Sequence, residues 1–290
     1  MSDTSKTDYF DIIIDARQKG EAWVGALGDF NHWGYWDAPE RSRGELAELE
    51  PSQQNLTDEL LSFAKLRDGQ RMLDVGCGLG GTLRTVDGMH QNMALYGLDF
   101  DHRLAEVTRN NVLGSGTNTV EIRQGCATKL PWDDATMDVV TAVECIFHFP
   151  NREQFLTEAW RVLKPGGKLV ICDFAIANVP NALKGRRPLL TRTSAVKWLG
   201  RTDFIGIQDY QQLSKETGFE RMLHRDITLN TLPTYNTRVA FFKSTGLPWK
   251  TIGPRIAGMR LAELTSRMGI FKYVIFAFEK GKANGGSHVD

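Results

Sequence analysis

Met72-Leu73-Asp74-Val75-Gly76-Cys77-Gly78-Leu79-Gly80-Gly81, followed by Ala94-Leu95-Tyr96-Gly97-Leu98-Asp99, decides how this chain is read. An apolar strand that breaks into closely spaced glycines, then a second apolar strand ending in an acid, is how an α/β sheet presents bare backbone to a nucleoside ligand. The spacing narrows the ligand further. A pyrophosphate fingerprint runs Gly-x-Gly-x-x-Gly into a helix N-terminus, whereas here Asp74 stands two residues before the first glycine. Its carboxylate repels phosphate oxygens and suits an ammonium group, directly or through water. S-adenosylmethionine carries such an ammonium, together with a sulfonium and no phosphate.

At these residues the chain resembles motif I of the class I S-adenosylmethionine-dependent methyltransferases. Later blocks continue the match in order: Asp99, Gly125-Cys126-Ala127 before Leu130-Pro131-Trp132, Met137-Asp138-Val139-Val140, and Arg161-Val162-Leu163-Lys164-Pro165-Gly166-Gly167-Lys168-Leu169. The resemblance implies an α/β, Rossmann-like sheet of seven strands, mostly parallel with the last strand antiparallel, and helical cap and lid insertions. It also implies S-adenosyl-L-methionine as cofactor. Asp74 and the backbone of Gly76 and Gly78 would then meet the methionine moiety, and Asp99 would accept both ribose hydroxyls. Phe100 would cover one adenine face. Cys126 departs from the family, which commonly has an aspartate there to accept the adenine amino group. A thiol accepts poorly, so that contact is lost, while the Ala127 amide still offers a donor to a ring nitrogen.

The size and composition of the chain fit this class. Its 290 residues, 41% of them hydrophobic, bury one full core and carry sizeable insertions. Thirty-five basic and thirty-five acidic residues cancel, so the overall field gives no reason to expect a nucleic-acid partner. Cys77, Cys126, Cys145 and Cys172 lie in or beside predicted strands without metal or disulfide spacing, and read as reduced core residues. No apolar signal core opens the chain and no run reaches the roughly 18 apolar residues of a membrane span. A cytoplasmic protein without integral membrane association is expected.

Three segments follow along the chain: an N-terminal helical and aromatic cap over 1–66, a core over 67–280, and a polar, glycine-rich tail over 281–290 expected to be disordered. Within the cap, 8–26 reads as a helix, Phe30-Asn31-His32-Trp33-Gly34-Tyr35-Trp36 as an aromatic loop, and a second helix opens near Asn55. Strands near 71–75, 94–99, 119–124, 137–143 and 168–174 alternate with helices near 80–89, 102–113 and 151–163. A helix near 208–217 precedes a strand near 221–228, and the last strand lies near 272–279. Long insertions over 175–207 and 230–268 read as lids beyond the carboxyl ends of the strands, where they build the acceptor pocket.

Methyl transfer from a sulfonium is an in-line displacement, so the protein chiefly holds donor and acceptor in line. A hydroxyl acceptor also needs a base, and a histidine of near-neutral pKa suits that task. Glu144-Cys145-Ile146-Phe147-His148-Phe149 directly follows the fourth predicted strand. It resembles the acid-to-histidine segment of the sugar, polyketide and quinol O-methyltransferases, which implies His148 as base. Asp173, at the end of the fifth strand, matches an aspartate that in this subgroup assists the base or grips the substrate hydroxyl. Tyr35 and Trp36 resemble a Gly-Tyr-Trp element that closes over the cofactor, where a ring would attract the sulfonium. The competing reading is that these rings only plug the cap onto the core. Glu144 faces the methionine end of the cofactor or caps the next helix, and His32 is a weaker base candidate that reads as packed locally.

From Phe174 to Thr202 the chain has no acid, while Lys184, Arg186, Arg187, Arg192, Lys197 and Arg201 sit among Leu189, Leu190, Trp198 and Leu199. A solvated charged face is the plain reading. An acidic acceptor, a carrier-bound acceptor and a membrane surface are the sharper ones, and the sequence does not rank them. No acid–histidine cluster at the strand tips suggests a catalytic metal. The reading is thus transfer of a methyl group to a hydroxyl of a small natural product, with N- or C-methylation as rivals and a cofactor-binding accessory protein as a distant alternative. The oligomeric state stays open.

Overall fold

The computed structural model describes residues 8–177 and 204–282. Most of the lid expected over 175–207, including the basic stretch 184–201, and most of the tail lie outside the described residues.

In chain order the elements are α1 (Asp8–Gln18), α2 (Leu49–Ala64), β1 (Arg71–Val75), α3 (Gly81–Met89), β2 (Ala94–Asp99), α4 (His102–Asn111), β3 (Thr119–Gln124), β4 (Met137–Val143), α5 (Arg152–Val162), β5 (Leu163–Ile176), α6 (Ile207–Thr217), β6 (Phe219–Asp226), α7 (Thr228–Thr231), α8 (Thr234–Ser244), α9 (Trp249–Arg267) and β7 (Phe271–Lys280). The sheet runs β3-β2-β1-β4-β5-β7-β6. β3, β2, β1, β4 and β5 are mutually parallel, and β7 runs antiparallel to both β5 and β6. The expected fold class is therefore the observed one. Because the strand order reverses between β1 and β4, the carboxyl ends of these two strands open the crevice where such sheets hold ligands.

Alternate strand residues enter opposite cores, as the two-residue period of a strand demands. Met72, Leu95, Val170 and Tyr273 face α2 and the N-terminal cap. Leu73, Val140, Ile171 and Phe276 face Phe155 of α5 and Tyr210 of α6. Both sides being covered explains why the parallel strands read as almost continuous apolar runs.

Two expected helix boundaries in the cap shift, while the helical insertion over 230–268 is found as the resemblance implies. The first helix stops at Gln18, because Gly20 turns left-handed at φ 66° and a 3₁₀ turn, Ala22–Leu27, follows. α2 begins at Leu49 rather than near Asn55 and takes Pro51 into its first turn, where a missing N–H costs nothing. The insertion 230–268 is mainly helical, formed by α8 and α9. Its residues do not show this in their periodicity, since α8 is buried at Tyr235, Val239, Phe241 and Phe242 on more than one face.

Candidate active site

β1 ends at Val75 and the chain turns at once through Gly76, Gly78 and Gly80, all at positive φ. Gly76 is required by crowding, since a Cβ there would lie 2.7 Å from the Cβ of Cys145. Gly78 is different. A Cβ there would meet nothing nearer than the Gly76 carbonyl oxygen at 3.9 Å, so the loop leaves an open cradle of backbone at that point. Asp74, just below, is buried and accepts a 2.7 Å hydrogen bond from Thr141 Oγ1 on β4. Burial pushes its carboxyl up to about 7, against the Thr141 bond and with help from Asp99.

Asp99 closes β2 on the same crevice. Its Oδ2 accepts the Gly78 N–H at 2.9 Å and its Oδ1 the Asp101 N–H at 2.9 Å. These two bonds fix the carboxylate and leave each oxygen a second lone pair, which is what paired ribose hydroxyls require. Phe100 beside it is 77% exposed, a large ring lying open next to the cradle. The Gly125 N–H donates to the Asp99 carbonyl at 2.9 Å and thereby fixes the next loop, where Cys126 Sγ lies 3.1 Å from Thr128 Oγ1 and Ala127 is buried. The sequence did not flag Thr128, whose hydroxyl supplies polarity where the family's aspartate is missing. An open cradle, a fixed ribose-type carboxylate and a free aromatic face suit an adenosyl group. Asp74, Gly76, Gly78, Asp99 and Phe100 would hold it, and it would supply an electrophilic methyl on sulfur.

Of the two readings of Tyr35 and Trp36, their surroundings are those of the plug. Tyr35 is buried, its N–H bonded to the Ser52 carbonyl and its hydroxyl to Arg225 of β6, while Trp36 bonds Glu48 through Nε1. β6 lies four strands from β1, roughly 19 Å at ~4.8 Å per strand. The structure thus places Tyr35 and Trp36 in the plug between α2 and α7, not over the glycine loop. The Trp33 ring stacks on Tyr273 at 5.8 Å and lies edge-on to Phe174 and Tyr235. His32 packs locally as read: Nδ1 meets the Trp33 carbonyl, Nε2 meets Thr57 Oγ1, and burial lowers it to about 4. Phe30 lies against Gly81 at the start of α3, so the cap covers the far end of the glycine loop.

Glu144 follows β4 with φ at 50° and caps no helix. Its Oε1 accepts the Trp33 N–H and the Tyr273 hydroxyl proton. Burial pushes its carboxyl up to about 8, although both donors and the Arg238 charge favour the anion. Nothing in the sequence near Glu144 signals Tyr273 or Arg238, which arrive from β7 and α8.

His148 ends a 3₁₀ turn, Ile146–His148, directly after β4. It is half-buried, its ring 4.3 Å from that of Phe147. Asp173 has no exposed surface. It accepts from Tyr210 Oη, from the Phe174 N–H at 2.8 Å and from Arg152 Nη2 at 3.4 Å. Arg152 in turn lies over the Tyr210 ring at 5.5 Å. The expected grip of Asp173 on an acceptor hydroxyl meets a carboxylate already enclosed by α5 and α6. Burial raises its pKa, against the Arg152 charge.

Known proteins resemble this chain over the same strands. The profile of the methyltransferase domain matches residues 73–171, from the middle of β1 into β5. A relative named 27-O-demethylrifamycin SV methyltransferase, from Amycolatopsis mediterranei (strain S699), is 29% identical over 74% of this chain and 76% of its own length. An O-methyltransferase of Pyrenophora dematioidea is 30% identical over 71% of this chain and 74% of its own. Among solved structures, the [4+2]-cyclase SpnF superposes with a TM-score of 0.77 at 18% identity, covering 97% of this chain and 98% of that one, a likeness of fold. The chain belongs to the class I S-adenosylmethionine-dependent methyltransferases of the small-molecule type. Its cofactor is S-adenosylmethionine. No helix among the described residues is long and apolar enough to cross a membrane.

Proposed function

We propose that this chain methylates a hydroxyl of a small natural product, of sugar, polyketide, peptide side-chain or quinol type, with His148 as general base. The observation that carries this reading is the position of His148. It sits half-buried on the turn that leaves β4, the strand beside β1 and its glycine loop. The relatives named as O-methyltransferases support the same acceptor class.

In this reading the His148 ring takes the acceptor's hydroxyl proton, and the cofactor, which Asp74, Gly76, Gly78 and Asp99 would hold, would supply the methyl group from its sulfonium and be left as a neutral thioether. Trp33, Phe147 and Phe174 exclude water from the strand ends, since all three are buried. Asp173 is a positioning residue: it holds Arg152 at the first turn of α5, four residues beyond His148. Replacing His148 by alanine is expected to lower turnover on a hydroxylated acceptor by about 10²–10⁴-fold while cofactor binding survives. Mass spectrometry of methylated products from a panel of phenols, sugars and hydroxylated macrocycles reads this out. Equal turnover by wild type and His148→Ala would overturn the base assignment and favour an amine acceptor, which enters neutral and needs no strong base.

A further inference from the structure

The N-terminal loop over 29–34 is tied down at both ends and in the middle. At one end Asp29 accepts the Gly81 N–H at 3.0 Å, at the end of the cofactor loop. At the other, the Gly34 N–H donates to Thr234 Oγ1 of α8 at 3.1 Å, and the His32 carbonyl accepts from Arg238 Nη2 of α8 at 2.8 Å. The middle is held by Glu144.

We propose that Glu144 is a positioning residue that latches this loop down beside the cofactor crevice, by giving one carboxylate oxygen to both the Trp33 N–H and the Tyr273 hydroxyl. Two further observations give the latch its leverage. Glu144 occupies the left-handed region at φ 50°, a conformation that a side chain with a Cβ keeps only where its surroundings impose it. Its own N–H donates to the Cys172 carbonyl at 2.9 Å, so the strand pairing runs up to this residue. The next residue, Cys145, donates to the Val75 carbonyl at 3.1 Å and fills the space a side chain at Gly76 would need. A shift of Glu144 is therefore felt directly by the glycine loop. The loop over 29–34 spans from that loop to the inserted helix α8, so the latch joins cofactor retention to the seating of the cap.

The charge state of Glu144 belongs to this device. Tyr273 faces it from β7, Arg238 and Tyr235 from α8, and Asp173 and Cys172 from β5. Burial in the latched state pushes the carboxyl up to about 8. Lifting the loop returns water and lets the group fall toward the ordinary carboxylate range. Latching therefore binds a proton, and it weakens as pH rises through the latched value.

The test uses the full chain and two probes, S-adenosylhomocysteine and methylthioadenosine, which lacks the amino-acid end. Their affinities are measured by calorimetry between about pH 6 and pH 9, and amide exchange is followed over residues 29–36. Glu144→Ala is expected to weaken both probes by about ten-fold and to speed exchange over 29–36. Tyr273→Phe, which keeps the ring packing, moves both readouts the same way by less. Glu144→Gln keeps an acceptor for both donors, so it is expected to abolish the weakening of methylthioadenosine binding at high pH. If Glu144→Ala weakens only S-adenosylhomocysteine, the carboxyl grips the methionine end and the latch is wrong. Unchanged exchange over 29–36 in Glu144→Ala would overturn it equally. Neither outcome bears on His148, so the latch and the hydroxyl-transfer reading fail separately.

Discussion

The two halves of the crevice are built on different rules. On the β1–β2 side, polar groups are positioned by short local contacts and left with capacity to spare: Asp99 takes one backbone N–H on each oxygen, Gly78 faces open space and Phe100 lies bare. On the cap side, the loop is bonded from distant parts of the protein, Gly34 by Thr234, the His32 carbonyl by Arg238 and the Trp33 N–H by Glu144, and the rings stack on one another. The first half keeps the free capacity that a ligand would use. The second is arranged to hold the protein together around it.

The comparison is broken most sharply where a cap residue is removed. Trp33 is buried among Phe174, Tyr235 and Tyr273, so Trp33→Ala is expected to cost about 3–5 kcal/mol of stability. Urea unfolding measures this. A loss below about 1 kcal/mol would mean that the cap is not part of the core.

An effect of up to about 3 kcal/mol is expected from pH at His32. Burial holds this ring at about 4 in the folded protein, below its ordinary value of about 6.5. Its contribution to stability is thus complete above the ordinary value and is lost as pH falls toward 4. Asp74 and Glu144, raised to about 7 and about 8, act with the opposite sign, since their contributions are present in acid and fade as pH rises through those values. Unfolding followed between about pH 4 and pH 7 in wild type and His32→Gln separates them. If the His32 account holds, wild type gains stability relative to His32→Gln as pH rises across that range, and an unchanged difference between the two proteins would contradict it.

The smallest effect sharpens the ligand half. Cys126→Asp restores an acceptor where the family has one and should tighten S-adenosylhomocysteine binding by roughly ten-fold, the value of one hydrogen bond to a charged group. Calorimetry reads it, and weaker binding would place the adenine edge elsewhere.

This same division decides what the sequence made legible. Asp74, Gly76, Gly78 and Asp99 announce themselves because strand, turn and acid are consecutive, so local spacing carries their geometry. β1 to β4 fall where the pattern puts them for the same reason. The sequence leaves Tyr35 and Trp36 open between a cover over the cofactor and a plug of the cap, because which ring of an aromatic loop faces inward depends on partners such as Ser52 and Arg225, far off in sequence. Asp173 reads as a substrate-facing acid because the sequence places it at the end of its strand, but β5 runs on to Ile176 and Arg152 and Tyr210 enclose the carboxylate from α5 and α6. The resemblance implies a helical insertion over 230–268, but the bounds of α8 are not legible because burial on several faces erases the amphipathic period.

The most direct test of the account is a calorimetric titration of S-adenosylhomocysteine into wild type and Asp99→Ala. The account predicts one site per chain, with affinity about a hundred-fold weaker in the variant, because two charge-assisted hydrogen bonds are lost. Equal affinity in both proteins would contradict the placement of the cofactor between the glycine loop and the end of β2.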